Sequence, residues 1–162
     1  MHTPFKFIQT TLHSKKFILV AGMIILAAIF IYIFYSWPRP RVCFEKTCFK
    51  VELARTETKQ KTGLMYREPL KPDQGMLFIF PTSEQHPFWM KNMRQNIDIV
   101  FLDDDKRVNF IAADQHPCAT GQYCPLVTSP EDTRFVLELP AGAATRLNLP
   151  IGGQWMWDII ND

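Results

Sequence analysis

The stretch GMLFIFPTSEQHPFWMKNMRQNIDIVFL, residues 75–102, decides the fold of this chain. It contains three short apolar runs, at residues 75–80, 86–92 and 97–102, and turn-forming residues separate them. Short runs rich in aromatic and β-branched residues and bounded by turn signals are typical of strands. The stretch therefore predicts three consecutive short strands.

The sequence on either side of this stretch adds further short elements. Residues 42–54 alternate between apolar and polar side chains, which predicts a hairpin. Thr56 offers an N-cap oxygen and Gly63 a left-handed helix end, so a short helix is expected between them. More strands are predicted at residues 108–112, 134–139 and 154–160, with a turn that can include a short helix at 140–148. Together these elements predict a mainly β fold, a compact antiparallel β sandwich or barrel with one or two short helices.

A nineteen-residue apolar run, FILVAGMIILAAIFIYIFY at residues 17–35, precedes the β region. At about 1.5 Å per residue, a helix of this run is roughly 28 Å long, close to the hydrocarbon thickness of a bilayer. A cleaved signal peptide is the competing interpretation, but the run is longer than a secretory apolar core and no small-residue cleavage pattern follows it. The run predicts a single N-terminal transmembrane helix at residues 17–36.

The predicted organisation has four parts. A cytoplasmic tail covers residues 1–16, the transmembrane helix 17–36, a linker 37–42, and an extracytoplasmic β domain 43–162. Three lysines precede the apolar run and two arginines follow it closely, so the charge bias toward a cytoplasmic N-terminus is slight. The cysteines supply the stronger argument for orientation.

All four cysteines lie after the apolar run, as two close pairs, Cys43 with Cys48 and Cys118 with Cys124. Four cysteines allow three connectivities, and sequence alone does not choose among them. Pairing within each pair is favoured, because a hairpin would place Cys43 opposite Cys48 and prolines bracket the loop that holds the second pair. Since disulfides form in oxidising compartments, the domain is expected in the periplasm or outside the cell.

The sequence does not favour metal or nucleic-acid binding. Zinc is the alternative use of the cysteines, but their spacings fit a zinc site poorly and only His116 lies nearby. The run Asp103–Asp105 predicts a solvated turn, because the glycine and the distal glutamate of a calcium loop are missing. The chain has 18 Lys and Arg against 16 Asp and Glu, without a basic patch, which disfavours nucleic acid. No cofactor is predicted.

Five blocks of this sequence resemble the domain of unknown function family 192. They are G-L-M-Y-R (63–67), G-M-L-F-I-F (75–80), F-W-M-K-N (88–92), I-D-I-V-F (97–101) and V-L-E-L-P-A-G (136–142). The resemblance implies a compact, predominantly β fold that is often exported or membrane-anchored in bacteria, and it implies no activity. The chain departs from the family pattern at Gln95 and Asn96, where isoleucine and proline are usual, and at Gln154, where aspartate is common.

Polar side chains embedded in apolar strands mark the candidate site, because a buried charge is costly unless it is paired. The candidate ligand-binding residues are Arg67, Trp89, Lys91, Asn92 and Asp98. In this hypothesis they converge on a concave polar pocket for an anionic or hydroxyl-rich ligand, with Trp89 stacked against it. The structural alternative pairs Arg67 or Lys91 with Asp98 or Glu138, which would fix strand register.

No catalytic constellation accompanies these residues. The chain lacks the motifs G-x-S-x-G and H-E-x-x-H and a phosphate-binding glycine loop, and oxidised cysteines cannot act as nucleophiles. The expected function is a non-catalytic ligand-binding or scaffolding module outside the cytoplasm. Its partners would be the lipid bilayer, through residues 17–35, and an envelope protein or saccharide. The alternative is an enzyme that acts on an envelope polymer or saccharide through the buried carboxylates of Asp98 and Glu138.

Overall fold

The structure, a computed structural model, describes residues 6–36, 40–119 and 121–158. The chain consists of two compact units, residues 1–38 and 39–162. Three parts of the sequence-based prediction lie outside the described residues. They are the first five residues of the tail, the start of the linker at 37–39 and the end of the last strand at 159–160.

A single helix, α1 (Lys6–Ser36), makes up the described part of the N-terminal unit. Its large apolar side chains between Phe17 and Ile33 are exposed. Among the described residues, no helix has the length and apolarity that crossing a membrane requires. The structure therefore gives no support to the predicted transmembrane helix at residues 17–36.

Short strands dominate the described part of the C-terminal unit. The elements are β1 (Arg41–Phe44), β2 (Thr47–Ala54), α2 (Glu57–Thr62), β3 (Gln74–Glu84), β4 (Phe88–Trp89), β5 (Ile97–Leu102), β6 (Val108–Gln115), β7 (Leu126–Val127), β8 (Thr133–Pro140), α3 (Ala143–Arg146) and β9 (Met156–Asp158). The prediction of a mainly β fold with a few short helices is confirmed.

Seven of these strands form one sheet in the order β6-β5-β8-β3-β2-β1-β9, and β4 pairs with β7 in a separate two-stranded ribbon. Neighbours in the sheet are antiparallel, except that β2 and β3 run parallel. The prediction of an antiparallel fold is wrong at this pair. Parallel neighbours need a crossover connection, and the segment that contains α2 provides one.

The large sheet curls into a half-barrel, so that its two ends approach each other. Arg107, just before β6, bridges to Gln154, just before β9. The amide of Val108 donates to the carbonyl of Gly153 at 2.9 Å, and the amide of Gly152 donates to the carbonyl of Val108 at 2.7 Å. Of the two predicted arrangements, sandwich and barrel, the barrel is closer to the observed half-barrel.

Apolar side chains cover both faces of the sheet. The inner core includes Leu77, Val100, Leu137, Leu139 and Trp155. The outer core includes Met76, Phe78, Ile99, Phe101 and Val136. Successive residues of a strand point to opposite faces, so β3, β5 and β8 each contribute to both cores. All six residues of β5 are buried for this reason.

The local elements follow their sequence signals closely. Thr56 caps α2, because its Oγ1 accepts a hydrogen bond from the amide of Lys59 at 3.3 Å. The helix ends at Gly63, which has a φ of 49°. The predicted strand at residues 86–92 is shorter than expected, since only β4 is extended and paired. The last predicted strand begins later, at Met156.

Both predicted disulfides are present. In the hairpin, Cys43 lies opposite Cys48 across β1 and β2, and their sulfurs are bonded. The second bond joins Cys118 to Cys124 in the loop before β7. Local pairing is therefore the correct choice among the three connectivities.

Candidate ligand-binding pocket

A cavity of about 460 Å³ lies over the outer face of the sheet, beside α2 and the β4–β7 ribbon. Its apolar lining consists of Leu64, Met65, Phe78, Phe80, Phe88, Trp89, Met93 and Leu126. Its polar and charged lining residues include Glu57, Gln60, Lys61, Thr62, His86 and Glu138. A largely apolar cavity with a few polar groups is the usual form of a small-molecule site.

Glu138 lies at this cavity with its carboxyl group buried. Strand alternation in β8 directs Leu137 and Leu139 to the inner core and leaves Val136 and Glu138 on the outer face. Glu138 is 4% exposed, and its Oε2 atom has no hydrogen-bond partner among the described residues. Burial raises the pKa of this carboxyl to about 8. Glu138 is therefore mostly protonated at neutral pH and can donate a hydrogen bond.

Gly63 allows the chain to pass close to Glu138 after α2. A Cβ at this position would lie 3.3 Å from Cζ of Phe78 and 4.0 Å from Oε2 of Glu138. The φ of 49° is also one that side chains with a Cβ rarely adopt. Glycine here thus satisfies the turn and keeps the space next to the carboxyl group open.

The β4–β7 ribbon supplies the exposed side of the pocket. Trp89 of β4 pairs with Leu126 of β7, and both remain partly exposed while lining the cavity. The amide of Cys118 donates to the carbonyl of Met90 at 3.1 Å, directly after β4. The Cys118–Cys124 disulfide therefore belongs to the loop that carries this ribbon.

Of the five predicted ligand-binding residues, Trp89 lines the pocket. The ammonium of Lys91 lies 5.5 Å from the centre of the Trp89 ring, so these two residues are brought together. Asn92 occupies a turn with a φ of 58°, and its carbonyl accepts from the amide of Tyr66 at 2.9 Å. Its side-chain amide lies 3.9 Å from the sulfur of Met65, which lines the pocket.

Arg67 lies in a second cavity, of about 620 Å³, which is lined mainly by β2 and by the segment between α2 and β3. Its guanidinium pairs with Glu52 at 2.9 Å, and this hydrogen-bonded contact holds the pKa of Glu52 below its usual value. Lys50 in the same cavity pairs with Asp73 at 2.7 Å. These two ion pairs satisfy Lys50, Glu52 and Arg67 among the charged groups that line the cavity, which makes it the weaker candidate.

Asp98 points to the inner face of the sheet, away from the pocket. One carboxylate oxygen accepts from the amides of Asp114 at 2.8 Å and Gly142 at 3.1 Å. The other accepts from the amide of Ala144 at 2.8 Å, so Asp98 holds the start of α3 against β5. The predicted set is therefore not gathered in one place, and neither Arg67 nor Lys91 pairs with Asp98 or Glu138.

The sequence reasoning missed the pocket itself, and with it Phe80, His86 and Gln60. The available signal was Glu138, an acid between two leucines of a strand with apolar residues on both faces. A second signal was the set of five blocks that resemble the family, since four of these blocks supply residues that line the pocket. Among the described residues, no cluster of three or more His, Cys, Asp or Glu side chains could hold a metal ion.

Comparison with known proteins places the chain in a family of unknown activity. A UPF0127 protein of Thermococcus gammatolerans is 28% identical over 114 residues, which are 67% of each chain. A crystal structure from Sinorhizobium meliloti, described as a proposed transcription regulator, matches with a TM-score of 0.66 and 31% identity over 74% of this chain and 92% of that one.

A protein of unknown function from Novosphingobium aromaticivorans also has a similar structure. It matches with a TM-score of 0.66 and 33% identity, over 73% of this chain and 84% of its own length. The model of the DUF192 family, described as an uncharacterized ACR, matches residues 41–157. This match covers almost the whole β domain, so the chain belongs to the DUF192 family.

Proposed function

We propose that this protein is a binding module for a small molecule with an apolar body and one polar group. The observation that carries the proposal is the buried Oε2 atom of Glu138, which has no hydrogen-bond partner among the described residues and lies at a largely apolar cavity. The ligand's apolar body would fill the cavity, and its polar group would contact Glu138. This proposal agrees with the ligand-binding role predicted from the sequence. Of the predicted binding residues it includes Trp89, and it assigns a binding role to Glu138 as well.

The cost of burying Glu138 supports this proposal. A buried polar group without a hydrogen-bond partner costs about 1–3 kcal/mol, and an ionised one costs more. A leucine in its place would avoid that cost in a strand that is otherwise apolar on this face. A ligand that fills the cavity and hydrogen-bonds to the carboxyl group would supply the partner that Glu138 lacks.

The test uses 1-naphthalenemethanol, an uncharged aromatic alcohol of suitable size, and follows it by NMR. Amide shifts are expected at the residues that line the cavity. Trp89→Ala should weaken binding about fivefold, the loss expected for one aromatic contact. Tyr123→Ala is the matched control, because Tyr123 is an aromatic residue that is 86% exposed and does not line the cavity. Absence of shifts at millimolar probe would contradict the proposal.

A second candidate is acid–base catalysis by Glu138 on an envelope polymer or saccharide. A carboxyl group with a pKa of about 8 keeps its proton at neutral pH, as a general acid requires. Asp98 would not be its partner, since it accepts three backbone amides on the opposite face. Hydrolysis of nitrophenyl glycosides or peptidoglycan that is lost in Glu138→Gln would favour this candidate over simple binding.

We further propose that the β domain lies outside the cytoplasm and that residues 17–35 hold it at a membrane. Two disulfides support an oxidising surrounding. The uncharged run and the exposed apolar side chains of α1 support contact with lipid. Thiol labelling of intact cells tests the location, and alkaline extraction of membranes tests the attachment. Four freely reactive thiols, or complete release by alkali, would contradict the respective part.

A further inference from the structure

We propose that the pocket selects a protonated amine on an aromatic or apolar body, with the carboxylate of Glu138 as its counter-ion. This inference rests on the proposed binding function and names the class of ligand. The cation would come from the ligand, because the described part of the protein does not place one at this carboxyl group.

The cations of α2 and of the turn after it are already paired, and the ammonium of Lys91 lies over the ring of Trp89. The ammonium of Lys61 contacts Glu57 at 2.6 Å on the surface of α2. The guanidinium of Arg67 and the ammonium of Lys59 contact Glu52, at 2.9 Å and 3.6 Å. A carboxylate taken out of water needs a counter-charge close by, so an ammonium group is the ligand feature that would stabilise Glu138 most strongly.

The aromatic walls favour a cation as well. Phe78 and Phe88 meet edge to face, with ring centroids 4.9 Å apart and planes at 83°, so their faces look in different directions. Trp89 adds a third ring at the pocket. Ring faces attract cations, so an aromatic lining beside a carboxylate is suited to an ammonium group.

The size of the pocket sets the scale of the apolar body. An apolar cavity of about 150 Å³ holds one benzene ring. The pocket here, at about 460 Å³, is roughly three times larger. A bicyclic aromatic amine or an amine on a branched alkyl chain would fit inside it.

The titratable groups around Glu138 define the controls. Those that line the same cavity are Glu57 and Lys61 of α2 and His86 before β4. From β2, Glu52 faces the same side but is paired with Arg67 and Lys59. The neighbours of Glu138 in β3 and β5, Met76 and Ile99, do not titrate.

The experiment compares two probes of nearly the same shape, 1-naphthylmethylamine and 1-naphthalenemethanol, by calorimetry on the full chain. The amine needs ionised Glu138, whose pKa is about 8, while the amine itself stays protonated. Its affinity should therefore rise about tenfold per pH unit from pH 6 toward pH 8, with release of a proton. The alcohol should show no such rise.

Variants assign the effect to one residue. Glu138→Gln should reduce the affinity for the amine at pH 8 at least tenfold and remove its pH dependence, while binding of the alcohol persists. His86→Gln should leave the pH dependence in place. Loss of the pH dependence in His86→Gln would overturn the assignment to Glu138.

The remaining outcomes separate the two proposals. If the alcohol binds and the amine binds no better at pH 8, the inference about the ligand class is wrong and the binding function stands. If neither probe binds, the binding function itself fails. If the amine is preferred equally at pH 6 and pH 8, the counter-ion role of Glu138 is wrong.

Discussion

Glu138 makes the stability of the folded protein depend on pH. Burial raises its pKa from 4.5 to about 8, so the folded protein keeps a proton that the unfolded chain releases. The free energy of unfolding should therefore fall as the pH rises between these two values, by about 1.4 kcal/mol per pH unit. Above the folded pKa no further loss is expected. Urea denaturation at a series of pH values measures this slope.

Glu138→Gln is the control for this prediction, because its amide has a similar shape and does not titrate. Its slope between the same pH values should be close to zero. Glu52 does not obscure the result, since its lowered pKa affects stability only in acid, below its ordinary value of 4.5. Equal slopes in the variant and the original protein would show that Glu138 is not the group responsible.

Asp98 has a structural role that mutation can separate from the pocket. Asp98→Ala would leave three backbone amides without their acceptor, at Asp114, Gly142 and Ala144. Each buried donor left unpaired costs about 1–3 kcal/mol, so we expect a loss of at least about 3 kcal/mol in chemical denaturation. Probe binding by the folded fraction should be unchanged, and a selective loss of binding would contradict this separation.

The two acids show what a sequence can indicate at the level of single residues. Both were recognisable as polar groups in apolar strands, and both are buried. Their hydrogen-bond partners were not predictable. Asp98 accepts from amides that lie 44 and 46 residues further along the chain, and Oε2 of Glu138 has no partner among the described residues. The same limit applies to Arg67, whose partner Glu52 depends on how β2 packs beside the turn after α2.

Among the elements, the β4–β7 ribbon should depend on its disulfide. Replacing Cys118 and Cys124 by alanine frees the loop that carries β7, so probe affinity should fall several-fold. The matched control replaces Cys43 and Cys48, which close a similar small ring in the β1–β2 hairpin outside the pocket. Each loss should lower stability by about 2 kcal/mol in the loop-entropy model. Equal effects of the two variants on affinity would contradict this role.

Elements with local signals were predictable, and their pairing was not. The bounds of α2 follow within a few residues from the cap at Thr56 and the helix end at Gly63. The β1–β2 hairpin follows in the same way from the alternation of residues 42–54. The parallel pairing of β2 with β3 depends on a crossover of about twenty residues, which no short pattern specifies. The pocket depends on that crossover, so its position could not be read from the strands alone.

For the whole molecule, the β domain should fold without the N-terminal unit. Residues 39–162 form a compact unit with two cores of their own. A chain that begins at residue 39 should unfold at the same temperature as the full chain, within a few degrees, in a calorimetric scan. It should also lose the proposed attachment to membranes. A large drop in the unfolding temperature would show that the N-terminal unit contributes to the folded domain.

The shared strands β5 and β8 have a consequence for how the domain loses its structure. Each strand contributes to the inner and the outer core at once, so neither core can come apart while the other persists. The domain should therefore behave as one cooperative, two-state system. Fluorescence changes of Trp89, at the outer face, and of Trp155, in the inner core, would then report the same transition. A ligand bound at the outer face would also stabilise the inner core on the opposite face of the sheet.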